Sequence, residues 1–222
     1  MGSRGGRGGT AGGSVLFLAA RAMQAKILAI AARLLNLNSP DELRLRQGRV
    51  ERQTGGAWAD AGLGLADVSR IAYLEPLRLP PGMEPGLEVH KAYDPPPMTY
   101  SNATHVCEVE VDPRTGHIRI IRYVIAEDCG TVLSPVVVEG QQHGATAMGL
   151  SGALLEHVVY DETGQNLSGS FADYLLATAC EMPTFEIISM HTPNRRTPTG
   201  SKGMAEGGVM GATGAMGPTG VM

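Results

Sequence analysis

The sequence predicts an α+β protein, on three observations. Apolar residues recur at helical spacing between Ser14 and Leu35. Two stretches alternate as hairpins, and a second long helical stretch follows Ser134 and Pro135. Long helices and hairpins in separate blocks are the pattern of that class. With 222 residues, 43% of them hydrophobic, the chain has the material for one large core or two small ones. A net charge of −4 gives no general field to recruit nucleic acid or an anionic membrane, so neither is expected as a partner. Cys107, Cys129 and Cys180 are odd in number and widely spaced. They form neither a disulfide framework nor a C-x-x-C metal or iron–sulfur ligand set, and they suit a reducing compartment.

Taken in order, residues 1–13 are mostly Gly, Ser, Arg and Thr. This run reads either as a linker or as a turn whose backbone amides face an anion ahead of a helix. A third reading, an Arg/Gly tail that binds RNA, requires longer arrays with interleaved aromatics than this run has. The helix expected from Ser14, as N-cap, to Leu35 presents Val15, Ala19, Ala22, Met23, Ile27, Ile30 and Leu34 on one side. Arg21, Gln24 and Lys26 interrupt its apolar run and argue against a membrane span. Residues 42–46 and 49–52 alternate about a turn at Gln47 and Gly48, which predicts a hairpin. Leu65, Val68, Ile71 and Ala72 mark a short helix closed by Pro76, and a proline-rich connection follows.

Pro95, Pro96 and Pro97 force an extended crossing. Two strands follow, over residues 105–111 and 117–125, joined through Asp112–Gly116 as a hairpin. The helix expected over residues 136–157 holds Gly140, Gly144, Gly149 and Gly152, each costing on the order of 1 kcal/mol relative to Ala. Either close packing against another backbone or a ligand lying on the helix must offset that cost. Gln141 and Gln142 offer amide donors near its start. Residues 158–164 read as a strand and turn, and residues 185–190 as a strand. Beyond Gly208 the Gly/Met/Thr-rich sequence shows no period, so residues 209–222 are expected to be a poorly ordered low-complexity tail.

Residues 197–208 stand out because Gly200, Gly203, Gly207 and Gly208 surround Lys202 and Glu206. Glycines there allow the backbone to approach something bound. A carboxylate with little water around it would have its charged form disfavoured, as a general base requires. The alternative is a solvated glutamate in a flexible loop. Lys202, if close, would oppose that effect.

These residues together resemble a family, the molybdenum-binding large subunits of the molybdenum hydroxylases: xanthine dehydrogenase, aldehyde oxidase and aerobic carbon monoxide dehydrogenase, the last branch most of all. The resemblance rests on five stretches in the family's order. They are Gly2, Ser3 and Arg4 before a glycine run and long helix; His105 with Val109, Glu110, Val111 and Asp112; Asp128, Cys129 and Gly130; Val138 through Gly144; and Gly203 through Glu206.

The resemblance implies an α+β second molybdopterin-binding domain over residues 1–208, incomplete at both ends, with a catalytic loop near residues 199–208. It implies part of a catalytic subunit that oxidises a small molecule with water-derived oxygen, inactive alone. Glu206 would be the general base, with Gln141, Gly2, Ser3, Arg4, Lys202 and Gly203 around the cofactor. The cofactor would be molybdenum-molybdopterin in its cytosine dinucleotide form. FAD would sit on a medium subunit and 2Fe-2S clusters on a small subunit, in a cytoplasmic dimer of heterotrimers. The family's glycine before the base is Ala205 here, its Asn-Pro is Ser134 and Pro135, Met148 stands for a common glutamine, and Gly5 for a serine. Those changes support a rival reading, a non-catalytic scaffold of the same fold.

Overall fold

The computed structural model describes residues 5–216, which divide into two compact units. One is Val15–Tyr93; the other joins the N-terminal residues up to Ser14 with the chain from Asp94 onward. Each unit has its own buried core.

In the unit Val15–Tyr93, α1 (Ser14–Leu34) buries Ile27, Ile30, Ala31 and Ala32, the face that its spacing anticipates. Asn36 ends it with a positive φ of 53°, which lets the Leu37 N–H reach back to the Ala32 carbonyl at 2.9 Å. An antiparallel sheet follows in the order β1 (Leu43–Arg46), β2 (Arg49–Thr54), β3 (Ala57–Gly64). Of these, β3 is not among the expected strands, although its turn at Gly55 and Gly56 is of the kind that joins two-residue hairpins. Then α2 (Leu65–Leu74) begins with the Asp67 carboxylate accepting the Gly64 N–H at 2.8 Å. Val68, Ile71 and Ala72 join Leu43, Val50 and the α1 residues in one aliphatic core.

Ser14 is not an N-cap. Residues Gly8–Gly13 are already wound as a π-helix that runs straight into α1, and Ser14 has helical dihedrals. The continuous helix Gly8–Leu34 is long and apolar enough to cross a membrane by length and composition, despite Arg21, Gln24 and Lys26. Its buried residues Ile27, Ile30, Ala31 and Ala32 are those of a core helix.

In the other unit, β4 (Asn102–Val111) and β5 (Ile118–Asp128) form the expected hairpin, and β6 (Phe185–Met190) pairs parallel with β5, which becomes the central strand. The glycine-bearing helix is α3 (Pro135–Leu154), three residues shorter than expected at its C-terminal end; Ser134 precedes it but makes no side-chain cap. Residues 158–164 contribute only an isolated pairing, Tyr160 with Asn166, rather than a strand.

The expected tail from residue 209 is instead largely helix. α4 (Gly207–Met216) packs on α3 and β4 and buries Ala212 and Met216 beside Tyr123, Ile125 and Leu150. Here tertiary packing overrides a sequence with no apolar period and weak helix propensity. It also answers the glycine question in α3 for one position. A Cβ on Gly149 would lie 2.7 Å from the Val209 carbonyl oxygen and 2.8 Å from the Ala212 Cβ, so this glycine lets two helices approach. Gly140, Gly144 and Gly152 face open space.

Candidate active site

The site forms where the end of β5, the start of α3 and the loop before α4 converge. Asp128, the last residue of β5, accepts from the Gly130 N–H at 2.8 Å and the Thr192 N–H at 3.1 Å through Oδ1. Its Oδ2 takes the Lys202 ammonium at 3.2 Å, in a pair whose side chains are about nine-tenths buried. Burial alone would raise the Asp128 pKa, but the Thr192 and Gly130 hydrogen bonds and Lys202 outweigh it and hold the carboxyl well below the usual carboxylate range.

Backbone contacts lock the same loop. The Lys202 N–H donates to the Cys129 carbonyl at 2.8 Å, and the Gly203 N–H to the Thr99 carbonyl at 3.1 Å. A Cβ on Gly6 would stand 2.7 Å from the Gly203 Cα, so the N-terminal loop lies directly against the loop that carries Lys202 and Glu206. Gly130 has a φ of 72° and abuts the Gly200 carbonyl, a position closed to any side chain.

Glu206 stands at the end of this loop, its carbonyl accepting the Met210 N–H at 3.1 Å in the first turn of α4. It faces a cavity of about 710 Å3 whose lining includes Gly5, Arg7, Tyr100, Gly203 and Met210. Gln141, in the second turn of α3, donates from Nε2 to the Ala205 carbonyl at 3.3 Å, holding the residue just before Glu206.

Of the residues that sequence reasoning singled out, Gln141, Lys202, Gly203 and Glu206 meet in this one place; Gly2, Ser3 and Arg4 lie outside the described residues. Of the two alternatives for Glu206, the structure shows the exposed carboxylate. The Lys202 ammonium pairs with Asp128. The Arg/Gly run is not an extended arm: Arg7 lines the cavity and Gly8–Gly13 is helical. Sequence reasoning gave no role to Tyr100 or to the buried Glu127, and considered Arg7 only as part of the Arg/Gly run. Glu127 was signalled only by preceding the Asp128 motif, and Tyr100 not at all.

These features define a class: a domain whose glycine-rich loops clasp one another beside a largely apolar cavity with a few polar groups, Arg7 and Glu206 among them, as ligand sites are commonly built. A family model described as a molybdopterin cofactor-binding domain matches residues 1–183. The nicotine 6-hydroxylase large subunit of Paenarthrobacter nicotinovorans is 36% identical over 97% of this chain and 26% of its own length. The carbon monoxide dehydrogenase large chain of Hydrogenophaga pseudoflava is 35% identical over 93% of this chain and 25% of its own. Among solved structures, quinoline 2-oxidoreductase from Pseudomonas putida 86 matches with a TM-score of 0.85 and 31% identity, over 97% of this chain and 27% of that one.

The chain belongs to the molybdopterin cofactor-binding domain family of the molybdenum hydroxylase large subunits. It spans about a quarter of the length of those relatives. The family match ends at residue 183, before the Glu206 loop, which only the alignments with whole relatives reach.

The residues present fit such a cofactor. The N-terminal half of α3 offers Gly140 and Gly144, where a Cβ would meet nothing within 4 Å, and an exposed first turn at Val136 and Val137. The second and third turns of α3 thus leave room for a flat group against the helix backbone, beside the Gln141 amide.

Proposed function

We propose that this chain supplies the catalytic-base side of a molybdenum-dependent hydroxylase large subunit. The observation that carries the reading is Glu206, exposed to a cavity of about 710 Å3 and held from behind by the Gln141 bond to Ala205. A molybdenum–pterin bound there would supply two-electron redox chemistry and a water-derived oxygen.

Within that scheme Glu206 accepts a proton at its carboxylate as oxygen is transferred to the substrate, and its exposure to the cavity gives it the access this requires. Gln141 and the Gly203 backbone set the loop's position. The Asp128–Lys202 pair anchors it to the end of β5, and Gly2, Ser3 and Arg4 complete the cofactor's surroundings. We assign the cofactor to the cytosine dinucleotide form, and FAD and 2Fe-2S clusters to medium and small partner subunits in a dimer of heterotrimers. A large-subunit relative and a complex's gamma-subunit relative support an assembly of several chains. A small-molecule substrate and a cytoplasmic location complete the reading.

The test is Glu206→Gln, which keeps shape and removes basicity, in the assembled complex that contains this chain. A positioned general base contributes ~10²–10⁴-fold, so turnover per bound molybdenum should fall by at least the lower figure while metal content holds. Near-normal turnover would make Glu206 a loop carboxylate and favour the scaffold reading.

A further inference from the structure

Glu127 is the one carboxylate buried deep in this unit without a hydrogen-bonded partner among the described residues. It lies on the central strand β5, paired across the sheet with Ala103 of β4 and Ser189 of β6, and is 1% exposed. Neither Oε1 nor Oε2 has a hydrogen bond of ordinary geometry, although the Gln142 side chain lies near enough to favour the ionised form. Gly207 sits directly on it: a Cβ there would run into Oε1, and it would come within 3.9 Å of the Ser101 hydroxyl. Gly207 is also the residue that follows Glu206 and opens α4.

The surroundings offer no cation. α3 presents the buried, neutral Gln142 and Thr146, and α4 carries no ionisable side chain. The nearby titratable groups are Asp128 and Cys129 at the end of β5, Lys202 and Glu206 on the loop, and His105, which shares Glu127's face of the sheet beneath α4. The Lys202 ammonium is already paired with Asp128, and burial pushes the His105 pKa down, towards the neutral ring. An ionised carboxylate buried without a partner is costly, whereas the neutral acid gains a hydroxyl donor and loses the charge.

We propose that Glu127 is a positioning residue for the Glu206 loop, carried as the uncharged acid with Gly207 seated on its carboxyl. It sets the height at which the chain leaves β5's neighbourhood and turns into α4, and so fixes where Glu206 faces the cavity. Burial pushes the Glu127 pKa up, and Gln142 opposes this only in part. The role rests on the reading of Glu206 as base.

The first arm needs no cofactor. The folded chain keeps a proton on Glu127 that the unfolded chain releases above about pH 4.3. Wild-type stability therefore falls relative to Glu127→Gln as pH rises from that value through the raised folded one. In thermal unfolding of the full 222-residue chain between about pH 5 and about pH 8, the Glu127→Gln midpoint should gain on the wild type as pH rises. A pH-independent gap, or a wild type that gains with pH, would overturn the neutral acid.

The second arm uses the molybdenum-loaded complex. Glu127→Ala should lower kcat on the order of 10²-fold through misplacement of Glu206, with KM and molybdenum content unchanged, and Glu127→Gln should restore it. Unchanged kcat in Glu127→Ala, or loss of metal along with activity, would overturn the positioning role. If Glu127→Ala does not fold, failure of Glu127→Gln to keep kcat overturns it instead. Full turnover in Glu206→Gln would sink the base reading, while the pH-dependent gap of Glu127→Gln would stand apart from it.

Discussion

The two units use glycine in opposite ways. In Val15–Tyr93 the positive-φ glycines Gly48, Gly55 and Gly56 serve turns, with nothing within 4 Å of where a Cβ would stand, and aliphatic side chains do the packing. In the unit with the cavity, Gly6, Gly149, Gly207 and Gly208 are contact surfaces pressed on other backbone or side chains. There the tightest approaches are made by backbone, and they surround the loop that carries Glu206. Stability in the first unit should thus depend on removing volume, and in the second on adding it.

The largest effect should come from Ile30, which is fully buried in the first core. Ile30→Ala leaves a cavity there and should cost about 2–5 kcal/mol, read as a lowered denaturation midpoint of the chain. Next is Gly149. Its added methyl meets the Val209 carbonyl and the Ala212 Cβ below 3 Å, and neither is the far end of a flexible chain. Gly149→Ala should cost about 1–3 kcal/mol despite the better helix propensity of alanine. A stabilised Gly149→Ala would erase the contrast between the units.

How much was legible follows from the same contrast. Periodicity revealed α1, α2, the first hairpin and β4–β5, because their side chains face a core on one side at a fixed interval. It failed at α4, whose Gly211 and Gly214 weaken any helical signal and whose order comes from burying Ala212 and Met216. Resemblance singled out Gln141, Gly203 and Glu206, and the fold brings α3 and the loop that carry them together. The partner of Lys202 was left open in the sequence because the fold sets it: Glu206 is its neighbour in the chain, Asp128 its neighbour in space. Glu127 and Asp128 are consecutive and both buried, which breaks the in–out alternation of a strand and hides a buried carboxylate from any pattern.

The smallest effect on stability, and the sharpest on the site, should come from Gln141. Its Nε2 bond to the Ala205 carbonyl is the side-chain link shown between α3 and the residue before Glu206, and at 3.3 Å it is a long one. Deleting a hydrogen bond of this kind costs about 0.5–1.5 kcal/mol net, so Gln141→Ala should barely move the denaturation midpoint. An amide near a helix start can hold a phosphate or pterin edge and steady the loop, but it transfers no proton at neutral pH. In the assembled complex the variant should therefore lower molybdenum content and leave turnover per bound metal near normal, opposite to the pattern expected of Glu206→Gln. Full metal content with lost turnover would place Gln141 among the groups that act on the reaction, and would mean that the loop's backbone contacts hold the cofactor without it.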